Sequence, residues 1–262
     1  MSKDSLGDRQ KDYEGIPRSR LLKKMPVVAR IDGKAFHTLT KGMAKPYDKN
    51  FQYTMLDTAL YLCSEIQNCR MAYVQSDEIS LLLMDNNNRD TQGWFDHDLQ
   101  KMCSVAASMA TSQFMYSFIT NFGIQAVSGN VRPAFDARFW NLPEHEVCNY
   151  FIWRQNDAVR NSIQSLAQAN FSHKELHGLS CDELQEKLFQ EKGINWNDCL
   201  VMDKRGACVV KSIRTVYSEN GQASRRVWET DLNIPIFTQD RAYIENKVLA
   251  ENLVWPLPAK KE

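Results

Sequence analysis

Apolar and polar positions along the chain follow two different periods. MPVVARID, residues 25–32, is short and largely apolar, ends on Asp32 and is punctuated by Gly33, which predicts a strand. After a polar connection, helical spacing begins near Asp48, with Tyr53, Leu56, Leu60 and Cys63 on one stripe. MAYV and ISLLLM predict two strands, antiparallel across the join Gln75-Ser76-Asp77-Glu78, and NNNRDTQG reads as a loop. Residues 95–119 predict a long amphipathic helix with Leu99, Met102, Ala106, Met109, Gln113 and Tyr116 on its apolar stripe. AFDARFWNLP holds a further strand closed by Pro143, and a third helix runs from there to about Ala169.

The resulting order, β-α-β-β-α-β followed by mostly helix, predicts an α/β (α+β) fold. A split βαβ, ferredoxin-like sheet in a two-layer core is expected. The expected organisation is a polar tail over 1–17, a catalytic core over 18–145, and a helical and hairpin region over 146–262. Within that last region, CLVMDKRGACVVKSI reads as a hairpin turning at Lys204-Arg205-Gly206. Two capping boxes, from Ser172 and from Ser180, predict short helices separated near Gly178. That break argues against a zinc site built from His173, His177 and Cys181.

Composition narrows the class. Among 262 residues, Lys+Arg and Asp+Glu are each 32, and this neutral balance argues against a coat-like nucleic-acid binder while leaving room for a local basic groove. The 7 cysteines form no CxxC pair and read as reduced thiols, so a cytoplasmic setting is expected; the polar opening MSKDSLGDRQKDYE agrees. No apolar run approaches the ~18 residues of a membrane span.

The candidate chemistry lies at strand ends. Asp32 closes the first strand and Asp77-Glu78 joins two others. In a βαββ unit both loci fall at one end of the sheet. Converging carboxylates suit Mg²⁺, which takes hard oxygen ligands and leaves positions to water and phosphate. The competing reading is a strand-terminal acid plus an ordinary turn. Lys45 and Asp48, before the first long helix, fit either a triphosphate contact or a plain N-cap. Arg154, Asp157 and Asn161 share a helical face that is either a cleft wall or a solvated surface.

Taken in order, RIDGKAFH, AKPYD, AYVQSDEIS, FDAR, WRQND and GINWND resemble the tRNA-histidine guanylyltransferase superfamily over roughly residues 18–215. Its members add nucleotides to RNA 5′ ends in the 3′-to-5′ direction on a core similar to a polymerase palm. The resemblance implies metal ligation by Asp32, the Gly33 carbonyl and Asp77, with Glu78 as an accessory catalytic acid. It also implies nucleotide binding by Arg30, Lys34, His37, Lys45, Asp48 and Ser76. An RNA or second-nucleotide site would use Lys101, Arg154, Asp157 and Asn161. Implied partners are two Mg²⁺ ions, GTP, ATP and other NTPs, tRNA, and further copies in a homotetramer. One departure is informative. Where eukaryotic members carry a motif of the type H-I-N-N-L-Y-N, this chain has VRNSIQS, with Val159 in place of the histidine and Ser165 in place of the last asparagine. This resembles the bacterial and archaeal like-protein branch, which implies templated repair of 5′-truncated tRNA.

Overall fold

The computed structural model describes residues 5–127, 132–218 and 221–249. An exposed helix α1 (Ser5–Gly15) precedes β1 (Val27–Gly33) and the one-turn α2 (Phe36–Leu39). Then come α3 (Lys49–Glu65), β2 (Cys69–Gln75), β3 (Glu78–Leu83), α4 (Leu99–Phe122) and β4 (Phe135–Asn141). The long α5 (Glu144–Asn170) leads to α6 (His173–Leu176), α7 (Cys181–Lys192) and α8 (Val201–Arg205). β5 (Ala207–Ser218), β6 (Gly221–Asp231) and α9 (Ala242–Leu249) follow.

The sheet has the order β4-β1-β3-β2-β5-β6, and every pairing is antiparallel. Its first four strands are the split βαβ arrangement expected from sequence. The two-layer expectation is corrected. Every residue of β3 is buried, as are six of the seven of β2, because helices cover both faces. One face packs Ala29, Ile31, Ile79 and Leu81 against α3 and α4. The other packs Val28, Tyr73 and Leu82 against α5 and α9. Strands covered on both sides lose the in-out alternation and read as continuous apolar runs, which is how ISLLLM reads.

Three other expectations change. In α4 the buried line is Met102, Ala106, Ala110, Phe114 and Phe118, an i, i+4 ridge, while Tyr116 is exposed. The helix starts at Leu99 because Asp98 caps it, accepting from Lys101 N at 3.2 Å, and residues 94–97 form a 3-10 turn instead. In α3 the apolar face is Met55, Leu56, Ala59, Leu62 and Cys63, leaving Tyr53 largely exposed. Finally, the supposed first arm of the hairpin at 199–213 is a turn and α8. The helix ends at Gly206, whose φ is +79° and whose hydrogens face the Val74 carbonyl: a Cβ there would lie 2.4 Å from that oxygen. The chain then enters the sheet as β5, alongside β2, so the sheet draws strands from both sides of residue 145. Both capping boxes form, and Gly178, at φ +83°, separates α6 from α7.

Candidate active site at the β1 and β2–β3 strand ends

The register pairs Asp32 with Glu78, which carries the β2–β3 turn to the end of β1. Ser76 occupies the first position of that turn at φ +50°, a left-handed conformation that glycine usually supplies and that costs a non-glycine residue about 1–2 kcal/mol. Its hydroxyl donates to Asp77 Oδ1 at 3.0 Å, and the Gly33 amide donates to the Asp77 carbonyl at 3.0 Å. A strained turn locked by two such bonds sets the Asp77 carboxylate beside the Asp32–Gly33 segment. Gly33 is small for a packing reason: a Cβ would come within 2.6 Å of the Phe36 ring, which is buried against Phe114 and Phe135.

The three acids differ. Asp77 is half-buried, and no cation is paired with it among the described residues. Burial pushes its carboxyl above the ordinary value and the Asp32 charge adds to that, against its own amide, Ser76 and Arg30. Asp32 has Arg30 Nη2 at 3.2 Å. Glu78 points to the α5 face, where Arg154 grips both of its oxygens, Nε at 2.7 Å and Nη2 at 2.8 Å. Arg30 adds a third approach, with Nε 2.9 Å from Oε2 but without hydrogen-bond alignment. Burial raises the Glu78 carboxyl, and Arg154 and Arg30 work against that rise. Behind this clamp the Tyr150 hydroxyl and Ser80 Oγ lie 2.8 Å apart, and burial pushes the phenol up to about 12.

Next to the turn opens a pocket of about 220 Å³, lined among others by Lys45, Asp48, Gln75, Ser76, Asn161 and Ser165. It brings together four of the residues singled out from sequence on nucleotide or RNA grounds: Lys45, Asp48, Ser76 and Asn161. Asp48 is also the N-cap of α3: Oδ1 accepts from Phe51 N and Oδ2 from Ala44 N, each at 3.0 Å. Lys34 and His37 lie exposed just beyond Gly33, outside the pocket. Arg154 is not an open basic contact; its side chain is 5% exposed and is held by Glu78 and by Asp157, whose carboxylate is at 3.0 Å. Lys101 is not brought to the acids. It sits in the first turn of α4, about 15 Å along the helix from Thr111, and it is Thr111 that reaches the Phe135 amide opposite Gly33.

Sequence reasoning misses Asp203 and Met202, which wall the pocket from α8, because that segment reads as a hairpin. Asp203 accepts from Gln52 at 2.9 Å and pairs with Lys49, fastening α8 to α3. The usable signal was Gly206 after a helix-compatible VMDKR, a helix C-terminus pattern.

Carboxylate oxygens are the hard donors a divalent cation takes, although no three His, Cys, Asp or Glu side chains gather to hold one among the described residues. Asp77 and Asp32 repel each other in a partly dehydrated place, the Arg30 charge offsets this only in part, and no ion pair is made by Asp77 among the described residues. A cation there would offset that repulsion.

The sequence model of the tRNAHis guanylyltransferase family (Thg1) matches residues 7–143. This chain belongs to that family. The family's activity is nucleotidyl transfer to the 5′ end of tRNA. A probable tRNA(His) guanylyltransferase of Dictyostelium discoideum is 30% identical over 204 residues, 73% of this chain and 77% of that one. Two solved structures are more similar. A bacterial tRNA(His) guanylyltransferase-like protein in complex with ATP is 44% identical with a TM-score of 0.84, over 93% of this chain and 99% of its own. Another, in complex with GTP, is 42% identical with a TM-score of 0.80, over 94% and 100%. Among the described residues, no helix of this family member is long and apolar enough to cross a membrane.

Proposed function

We propose that this protein is a Mg²⁺-dependent 3′–5′ polymerase that restores nucleotides to 5′-truncated tRNA on a template. The observation that carries the reading is the hydrogen bond from Gly33 to the Asp77 carbonyl. It ties the turn that carries Asp77 to the end of β1, beside a pocket of about 220 Å³ that Ser76 of the same turn helps to line. In that reading, Asp32, Asp77 and the Gly33 carbonyl hold the metal. When bound, Mg²⁺ lowers the pKa of an attacking hydroxyl and neutralises charge on a transferring phosphoryl group.

The pocket takes the incoming NTP, with Lys45 and Ser76 on its triphosphate and Asn161 and Ser165 on its far wall. Its 3′-hydroxyl attacks the α-phosphate of a 5′-triphosphorylated or adenylylated RNA end, and pyrophosphate or AMP leaves. The chain's contribution is largely positioning. Glu78 is neutralised by two arginines, so its role is to hold the turn on which Asp77 rides.

The choice of repair over addition of a single guanylate rests on two supports. One is the VRNSIQS stretch; the other is the 44% and 42% identity to bacterial like-proteins, against 30% to the amoebal enzyme. A cytoplasmic homotetramer completes the proposal.

The test uses a 5′-triphosphorylated tRNA lacking its first nucleotide, Mg²⁺ and labelled NTPs, with full-length tRNA-histidine alongside. Wild type is expected to add the templated nucleotide and Asp77→Ala to add none. Equal activity in the variant, or incorporation only of guanylate and only on tRNA-histidine, would defeat the reading.

A further inference from the structure

Helix α5 passes over the acids with its residues divided between two sides. Gln155 accepts from the Phe237 amide at 2.8 Å, and Phe237 packs on Tyr73 of β2, so this side of the helix faces β2. Arg154 faces down onto Glu78 of β3. Trp153, two residues before Gln155 and about 200° around the helix from it, is turned the other way, towards β1 and β4. The contacts agree: Trp140 of β4 meets Tyr150 at 5.6 Å, and Tyr150 meets Trp153 at 6.0 Å.

The Trp153 indole is 55% exposed, yet it is fixed in place. The buried Tyr150 ring meets it edge to face, and the Arg154 guanidinium lies 4.5 Å from the ring centre. That same guanidinium is bolted to Glu78 and Asp157, so the ring is anchored to the carboxylate cluster through one side chain. Two exposed arginines stand on the same two elements, Arg138 paired with Asp136 and Arg160 with Asp157. Arg138, 57% exposed, stands on β4 opposite Arg30, and Arg160, 60% exposed, lies two turns further along α5.

The sheet order puts β1 and β3 between β4 and β2. The nucleotide pocket, walled by β2 and Asn161, and the Trp153 surface therefore lie on opposite sides of Asp32 and Asp77. Trp153 and Asn161 are about 12 Å apart along α5. A reaction that joins two nucleotides needs two seats with the metal ligands between them. The pocket is one.

We propose that the exposed face of Trp153 is the other, the platform on which the 5′-terminal base of the RNA stacks, with Arg138 and Arg160 beside its phosphates. This rests on the polymerase reading above. Any base offers a π-face, so such a seat accepts all four and suits templated addition, and preorganisation by Tyr150 and Arg154 spares the cost of ordering the ring.

The test measures binding of a 3′-labelled, 5′-truncated tRNA by anisotropy, and steady-state addition, for wild type, Trp153→Ala and Trp153→Phe. Solution mass and thermal melts run alongside. Trp153→Ala is expected to weaken RNA binding and raise KM for RNA about tenfold or more, leaving KM for NTP and the rate at saturating RNA within about twofold, while Trp153→Phe recovers most of the loss. RNA binding unchanged in Trp153→Ala overturns the proposal. So does a fall in solution mass that accounts for the lost binding, because Trp153 would then be a contact between copies. Wild type that binds RNA through Trp153 but adds no nucleotide would sink the polymerase reading and leave the platform standing; addition indifferent to Trp153→Ala would do the reverse.

Discussion

Removing the Glu78 carboxylate is expected to destabilise the protein far more than a surface charge change would. Both partners of the Glu78–Arg154 pair are sealed from solvent, with side chains 6% and 5% exposed. Breaking a buried pair by deleting one member typically costs about 3–5 kcal/mol, since the other charge stays dehydrated. Two features place the cost at the low end. Arg154 retains Asp157 at 3.0 Å, and a glutamine at position 78 still offers one acceptor. Glu78→Gln is therefore assigned about 3 kcal/mol, and Arg154→Met a similar loss, because Arg30 still approaches Glu78. For a chain of this size that is a fall in Tm of roughly 6–12 °C. Urea unfolding followed by circular dichroism, in a double-mutant cycle, separates the pair from its surroundings. The double variant should lose about as much as either single variant, giving a coupling of at least about 2 kcal/mol. Single variants within ~0.5 kcal/mol of wild type, or strictly additive losses, would refute the idea that this clamp holds the turn.

Three further outcomes are expected. Asp77→Asn should raise Tm at neutral pH in the presence of a chelator. The folded Asp77 carboxyl is raised above its ordinary value by burial and by Asp32, so the folded state gives up its proton reluctantly, and the ionisation penalty builds as pH rises from the ordinary value to the raised one and is complete above it. In the same melts Mg²⁺ should stabilise wild type and leave Asp77→Asn unmoved; stabilisation of both would locate the cation elsewhere. Gly206→Ala should cost about 2–3 kcal/mol in urea unfolding, since the new methyl meets the Val74 carbonyl at φ +79°, and a change under ~0.5 kcal/mol would mean that the strand shifts freely. Asp98→Ala should cost about 1–2 kcal/mol by thermal melt, because Asp98 both caps α4 and holds Arg18 at 2.7 Å; no loss would show the cap to be dispensable.

The geometry of the candidate corner is legible because its information is local. A strand that ends on Asp32-Gly33, and two apolar runs separated by four polar residues, declare themselves within fifteen residues or so. Capping boxes at Ser172 and Ser180 are equally self-contained. The errors share the opposite property. Whether Tyr116 or Ala110 faces the core depends on the angle at which α4 crosses its neighbours, which no single helix encodes. Residues 201–205 read equally well as strand or helix, and the decision is made by the fit of Gly206 against Val74, far away in the chain. The spacing of Arg154 leaves open whether its face is solvated or walls a cleft, because its burial is created by Glu78, another element's residue. Asp48 caps α3, as the N-cap reading has it, and it also lines the pocket.

The insertion of β5 beside β2 has a consequence for biosynthesis. The strand that buttresses the catalytic turn, and the α8 wall of the pocket just before it, emerge from the ribosome long after Asp32 and Asp77. A nascent chain ending before α8 exposes the edge of β2, an apolar strand with unpaired amides, and lacks one wall of the pocket. The pocket is thus completed late in synthesis, and in that interval the unfinished β2 edge is open to the wrong partner strand.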